Sequence, residues 1–102
     1  MKTETEYSPE KAKILFSSLV LSLGTQAMAA LGKITHPVTG KIEKDLDQVG
    51  PTIEMIEMLE MKTRGNLSRE EELLITQTLS NLKLNYVEEI NAPTQEPPKE
   101  VK

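Results

Sequence analysis

The stretch ILFSSLVLSLGTQAMAALG, Ile14 to Gly32, places nineteen consecutive residues in the chain without a single charge. An uncharged run of that length has three physical outcomes. It can cross a bilayer, serve as a secretory signal, or form a water-soluble helix covered on most sides by other helices. Ala27-Met28-Ala29 imitates a signal cleavage site. The preceding segment does not fit, because Glu4, Glu6 and Glu10 accompany Lys2, Lys11 and Lys13 where a signal has a short basic region. A bilayer helix over 14–32 has the length it needs. Against it stand Ser17, Ser18, Ser22, Thr25 and Gln26, and lysines at both flanks that leave no positive-inside asymmetry. The expectation is a helix in water.

Helical spacing then divides the run into faces. At about 100° per residue, Phe16, Leu19, Val20, Leu23, Ala27, Ala30 and Leu31 gather on one broad apolar side. Ser18, Ser22, Thr25 and Ala29 form a stripe of small residues on the other, flanked by Leu15, Leu21 and Met28. A helix apolar nearly all round is normally buried nearly all round, and two partner helices cover only part of it. The small stripe would let another backbone approach closely. Self-association through this helix is therefore expected, with a dimer favoured and an unidentified protein partner as the other candidate for the same surface. The size of the chain agrees: about eighty ordered residues make a marginal monomer, and small domains often gain stability by oligomerising.

The rest of the chain reads as helix. Leu, Ile and Met dominate the apolar content, which favours helix over strand. Ser8-Pro9 opens the first helix with a cap and a first-turn proline, and Gly32 stops it. Lys33 to Lys44 is a connector, with a turn at Pro37-Val38-Thr39-Gly40. Leu46, Val49, Ile53, Ile56 and Leu59 mark one face of a second helix whose period continues across Gly50-Pro51, so that helix is expected to begin near Asp45 and kink. Lys62, Arg64 and Gly65 end it. Ser68-Arg69-Glu70-Glu71 is a capping box for a third helix expected to bury Ile75, Leu79, Leu82, Tyr86 and Ile90. The spacing predicts helices over about 9–31, 45–64 and 69–90, between a flexible segment 1–8 and a disordered, proline-rich tail 91–102. The fold class is all-α: a long first helix packed on an antiparallel hairpin, in an oligomer.

Composition narrows the function classes. With no cysteine, disulfides and thiolate metal sites are excluded, and a reducing cytoplasm suits the chain. A net charge of −4 and three aromatics argue against general nucleic-acid binding. His36, the one histidine, lies in a turn with no acidic cluster beside it in sequence, and reads as an exposed turn residue. Glu54, Glu57 and Glu60 lack the Glu-x-x-His motif of helical di-metal sites and read as a solvated stripe. Met55, Met58 and Met61 could hold Cu(I) through thioethers, but more often such residues fill gaps or form adaptable contacts. The five glycines form no phosphate loop, and the basic Lys33, Lys41 and Lys44 are interrupted by Glu43 and Asp45. Neither a catalytic residue nor a cofactor is expected. The competing classes are a bilayer-anchored protein with helix 14–32 embedded, and a metal-binding protein or enzyme using His36 or the Met55/Met58/Met61 stripe.

The run FSSLVLSLGTQAMAALGKITHPVTGKIEKDL, followed by TIEMIEMLEMKTRGNLSREEELLITQTLSNLKLNYV, resembles the bacterial domain-of-unknown-function family 1844. The likeness covers about Leu15 to Val87. Its most specific pieces are Gln26-Ala27 before Leu31-Gly32, the PVTG turn, and Lys62-Thr63-Arg64-Gly65-Asn66-Leu67 ahead of an acidic helix start. Gly50-Pro51 stands where ordinary helix formers would be expected in such proteins. The resemblance implies a small, cytoplasmic, helical bacterial protein, and it carries over no activity and no catalytic residue.

Overall fold

A computed structural model describes residues 7–92. The expectations for most of segment 1–8 and of the tail, residues 1–6 and 93–102, lie outside the described residues. Three helices follow one another: α1 (Pro9–Ala30), α2 (Leu46–Thr63) and α3 (Arg69–Asn91), and each packs on the other two.

Local chemistry sets the ends. Ser8 Oγ accepts the Lys11 N–H at 3.1 Å, and Pro9 occupies the first helical position. Gly32 follows α1 at φ +80°, a left-handed conformation that lacks a steric penalty only for glycine. At α3 the capping box is complete: Glu71 N–H donates to Ser68 Oγ (3.1 Å) and Ser68 N–H donates to Glu71 Oε1 (2.8 Å). Those two bonds satisfy backbone donors that a helix start otherwise leaves open.

Helix α2 runs uninterrupted through Pro51. Proline there removes the bond that the Asp47 carbonyl would receive. Both residues are exposed, so water can take the missing donor's place. Two buried or half-buried threonines on the same helix turn their hydroxyls back on the backbone. Thr52 donates to the Gln48 carbonyl (2.8 Å) and Thr63 to that of Leu59 (2.7 Å), which lets a residue as buried as Thr52 sit in an apolar core.

Cross-helix contacts fix the directions. Lys13 meets Glu70, Gly24 meets Thr78 and Lys33 meets Glu89, so α1 and α3 are parallel in a nearly constant register. Glu57 pairs with Lys83 and Glu60 with Thr76, so α2 and α3 are antiparallel. The Asp45 N–H donates to the Ala30 carbonyl at 2.7 Å and pins the start of α2 to the end of α1. The topology is up-down-up. Its core joins Val20, Ala27 and Leu31 of the α1 side to Val49, Ile53 and Ile56 of α2 and Ile75, Leu79 and Leu82 of α3.

Two residues expected in the core lie outside it. Leu19 is 45 % exposed, because the apolar arc of α1 is wider than two neighbours can cover. Ile90 is 53 % exposed: the register sets Glu89 beside Lys33, past the end of α1, so no helix remains to cover the following residue. Tyr86 is half-buried against the core.

Candidate functional site

The surface that stands out is the outward side of α1, together with the connector that folds against its C-terminal half. Ile14, Leu15, Leu19 and Leu21 are exposed large aliphatics, and Ser18, Ser22 and Thr25 are exposed among them. The opposite side supplies the core. Val20, Ala27 and Leu31 are buried, Phe16, Leu23 and Ala30 are half-buried, and Gly24 is enclosed. A methyl group built on Gly24 would lie 3.1 Å from the Thr78 Cγ2, so α1 and α3 approach closely at this glycine. Sequence reasoning assigned close approach to the serine stripe and passed over Gly24. A glycine in mid-helix is the signal that could have found it, since that position is intrinsically unfavourable unless packing requires it.

Ala29, the last of the small stripe, is buried where the others are exposed. The connector covers it. His36 organises that segment: its N–H donates to the Lys41 carbonyl (2.7 Å), its carbonyl accepts from Gly40 N–H (2.8 Å), and its Nδ1 accepts from Val38 N–H (3.1 Å). Thr39 Oγ1 accepts from Lys41 N–H at 3.3 Å, and Gly40 turns at φ +72°. The result is a tight loop that holds Pro37 and Val38 outward, leaving Val38 85 % exposed. Between this loop and α1 lies an open groove of about 550 Å³, with Ser22, Thr25, Gln26 and Ala29 on one wall and His36, Pro37 and Val38 on the other.

His36 is half-buried, not the freely exposed residue its turn position suggested, because the loop lies down on α1. It also lines a second groove of about 420 Å³ with Glu43 and Asp45, which the connector brings back from a distance in sequence. Its Nδ1 lone pair is committed to Val38, and among the described residues no group of three or more His, Asp or Glu converges as metal ligands. The glutamates of α2 lie at the surface as expected, and two of them also reach α3. Glu57 bonds Lys83 at 2.6 Å and Glu60 accepts from Thr76 at 3.3 Å, leaving Glu54 outward. Met55, Met58 and Met61 are all exposed. Three-residue steps fall short of a full turn by about 60° each, so the thioethers wind around α2 and do not stack in one line.

Electrostatics concentrate at the connector's ends. Lys44 and Lys33 both reach Glu89, at 2.6 and 3.1 Å, with the Glu89 side chain only 15 % exposed. Hydrogen bonds from Lys44 and then Lys33 hold the Glu89 carboxyl below the usual carboxylate range. The basic connector residues are thus partly neutralised, with Lys41 left outside the pairing. Glu70 is lowered too, first by its own backbone N–H at the start of α3 and then by Lys13.

These features define a small all-α protein of three mutually packed helices whose distinguishing surface is one uncharged helix face. The chain belongs to the family of the domain of unknown function DUF1844, whose family model matches residues 13–88. No curated protein and no solved structure matches it.

Proposed function

We propose that the chain is a non-enzymatic association module of the cytosol, and that the outward face of α1 is its contact surface. One observation carries this reading: the bundle uses only one side of α1, and the other presents Ile14, Leu15, Leu19 and Leu21 to solvent without a charge from Ile14 to Gly32. Aliphatic groups in water favour association in proportion to the area they remove from it. Monomers rarely leave such contiguous strips uncovered. Lack of cysteine and a net charge of −4 support a reducing compartment and a protein partner in preference to nucleic acid.

Sedimentation equilibrium at micromolar concentration tests the reading. The expected result is a species larger than one chain. The variant Ser22→Leu is expected to shift the assembly equilibrium by overpacking the small position, without unfolding an exposed site. A folded, stable monomer for the parent protein would sink the proposal.

A second reading has an observation of its own. Helix α1 is long and apolar enough to cross a bilayer, with mean hydropathy 1.3, and only 22 % of its most apolar stretch is buried in the bundle. That exposure suits lipid as well as protein. Fractionation without detergent separates the two: the association module stays in the supernatant, and an embedded helix sediments with membranes.

A further inference from the structure

We propose that His36 is a proton-operated latch for the loop that walls the α1 groove: its neutral ring holds Val38 in place, and uptake of a proton releases it. The geometry assigns the protonation state. The Val38 backbone N–H can only donate, and it lies 3.1 Å from His36 Nδ1. Nδ1 therefore offers a lone pair, and the proton of the neutral ring sits on Nε2. A proton added from solvent takes that lone pair. The imidazolium then carries N–H on both nitrogens and has no acceptor left, so the bond from Val38 is lost. Imidazole is the side chain whose ordinary titration falls between about pH 5 and about pH 8. His36 is the single histidine of the chain.

The release is confined to the loop tip. Two backbone bonds close the loop without using the ring, from His36 N–H to the Lys41 carbonyl and from Gly40 N–H to the His36 carbonyl. Lys33 and Lys44 fasten the connector's ends to Glu89, whose carboxyl they hold below its usual range and so charged throughout this window. Val38 is 85 % exposed, so little apolar contact holds it once the bond is gone. The charged ring has partners of its own. Glu43 and Asp45 line the second groove with His36, and the Asp45 side chain makes no cap bond to α2. Lys44, beside them, is engaged by Glu89 at 2.6 Å. Helix α1 contributes only uncharged residues to the two grooves, α2 only Gln48, and α3 none. One side chain thus has two arrangements: the neutral ring on Val38 and the imidazolium toward the two carboxylates, selected by one proton. Because Val38 walls the groove of about 550 Å³, that proton sets whether the wall stands, whatever covers the groove.

Solvent-exchange NMR on the full chain between about pH 7.5 and about pH 5 tests the latch. Protection of the Val38 N–H, referred to an unstructured amide at the same pH, should fall about 5-fold as the ring charges, the size of an ordinary hydrogen bond. The fall should follow the titration of the His36 ring resonances. His36→Asn is the decisive variant, because its side-chain carbonyl accepts from the N–H two residues on at every pH. Val38 should stay protected across the range in that variant, and should lack protection throughout in His36→Ala. Titration of the ring with no change at Val38 would overturn the proposal. The same pH-dependent loss in His36→Asn would place the titrating group elsewhere and overturn it too. A parallel loss at the core amides of Ile56 and Leu79 would make the event global unfolding, and no latch.

Discussion

Gly24 shows how one missing side chain sets a helix contact. Alanine is favoured over glycine inside a helix by about 1 kcal/mol. Against that stands the 3.1 Å separation between an added methyl and Thr78 Cγ2, a contact that requires a few tenths of an ångström of movement. Thr78 is only half-buried and can give way in part, so the two effects are of similar size. Gly24→Ala is therefore expected to be near neutral in chemical denaturation. Thr78→Ser removes the opposing methyl. In that background Gly24→Ala should recover the helix-propensity gain of about 1 kcal/mol. A Gly24→Ala gain of the same size in both backgrounds would mean that the contact does not constrain the helix spacing. Gly24→Val, with two branches aimed at α3, should lose about 2 kcal/mol through overpacking.

The elements were legible wherever their signals are local. Ser8-Pro9, the Ser68–Glu71 box and the glycines at 32, 40 and 65 act within four residues of themselves, and the structure uses each in the way the sequence suggests. Periodicity also marked most of the core, since Val49, Ile53, Ile56, Ile75, Leu79 and Leu82 repeat at helical spacing. Leu19 and Ile90 escaped because burial depends on where neighbouring helices end and how wide an arc they cover, which no local pattern encodes. The same limit hid the return of Glu43 and Asp45 toward His36, and the burial of Ala29 beneath the connector. Pro51 tests the local logic directly. Its period implied one helix, its chemistry implied a break, and the helix is continuous because the lost bond lies on a solvated side. Pro51→Ala should restore a donor to the Asp47 carbonyl. The gain is reduced by the extra freedom of the unfolded chain, leaving a stabilisation of about 1–2 kcal/mol. Urea denaturation reads it, and a loss of stability in this variant would mean that proline's restriction of the unfolded chain outweighs the missing bond.

At the scale of the molecule, the connector is what turns three helices into one surface, and Glu89 is what holds the connector down. Lys33 precedes the His36 loop and Lys44 follows it, and both ammonium groups close on one carboxylate of α3. The loop that walls the α1 groove is thus fastened at both ends to a different helix. Glu89 is held below its ordinary value of 4.5, first by Lys44 and then by Lys33. A carboxyl lowered in the folded state contributes stability that is fully present above its unfolded value. That contribution fades as pH falls from about 4.5 through the native value, because the unfolded chain then takes up the proton first. Glu89→Gln cannot make the charged pairs at any pH. It should be less stable than the parent at pH 7 by about 1 kcal/mol, a modest figure because both lysines remain part-exposed and screened. The difference should shrink progressively on acidification below about pH 4.5, through the native value of Glu89. Urea denaturation of both proteins across that range measures it. A stability difference independent of pH would show that Glu89 acts through shape alone. If the clamp also shapes the groove, the variant should self-associate more weakly at pH 7 while remaining folded, because the wall formed by His36 and Val38 would no longer be tied to α3 at either end.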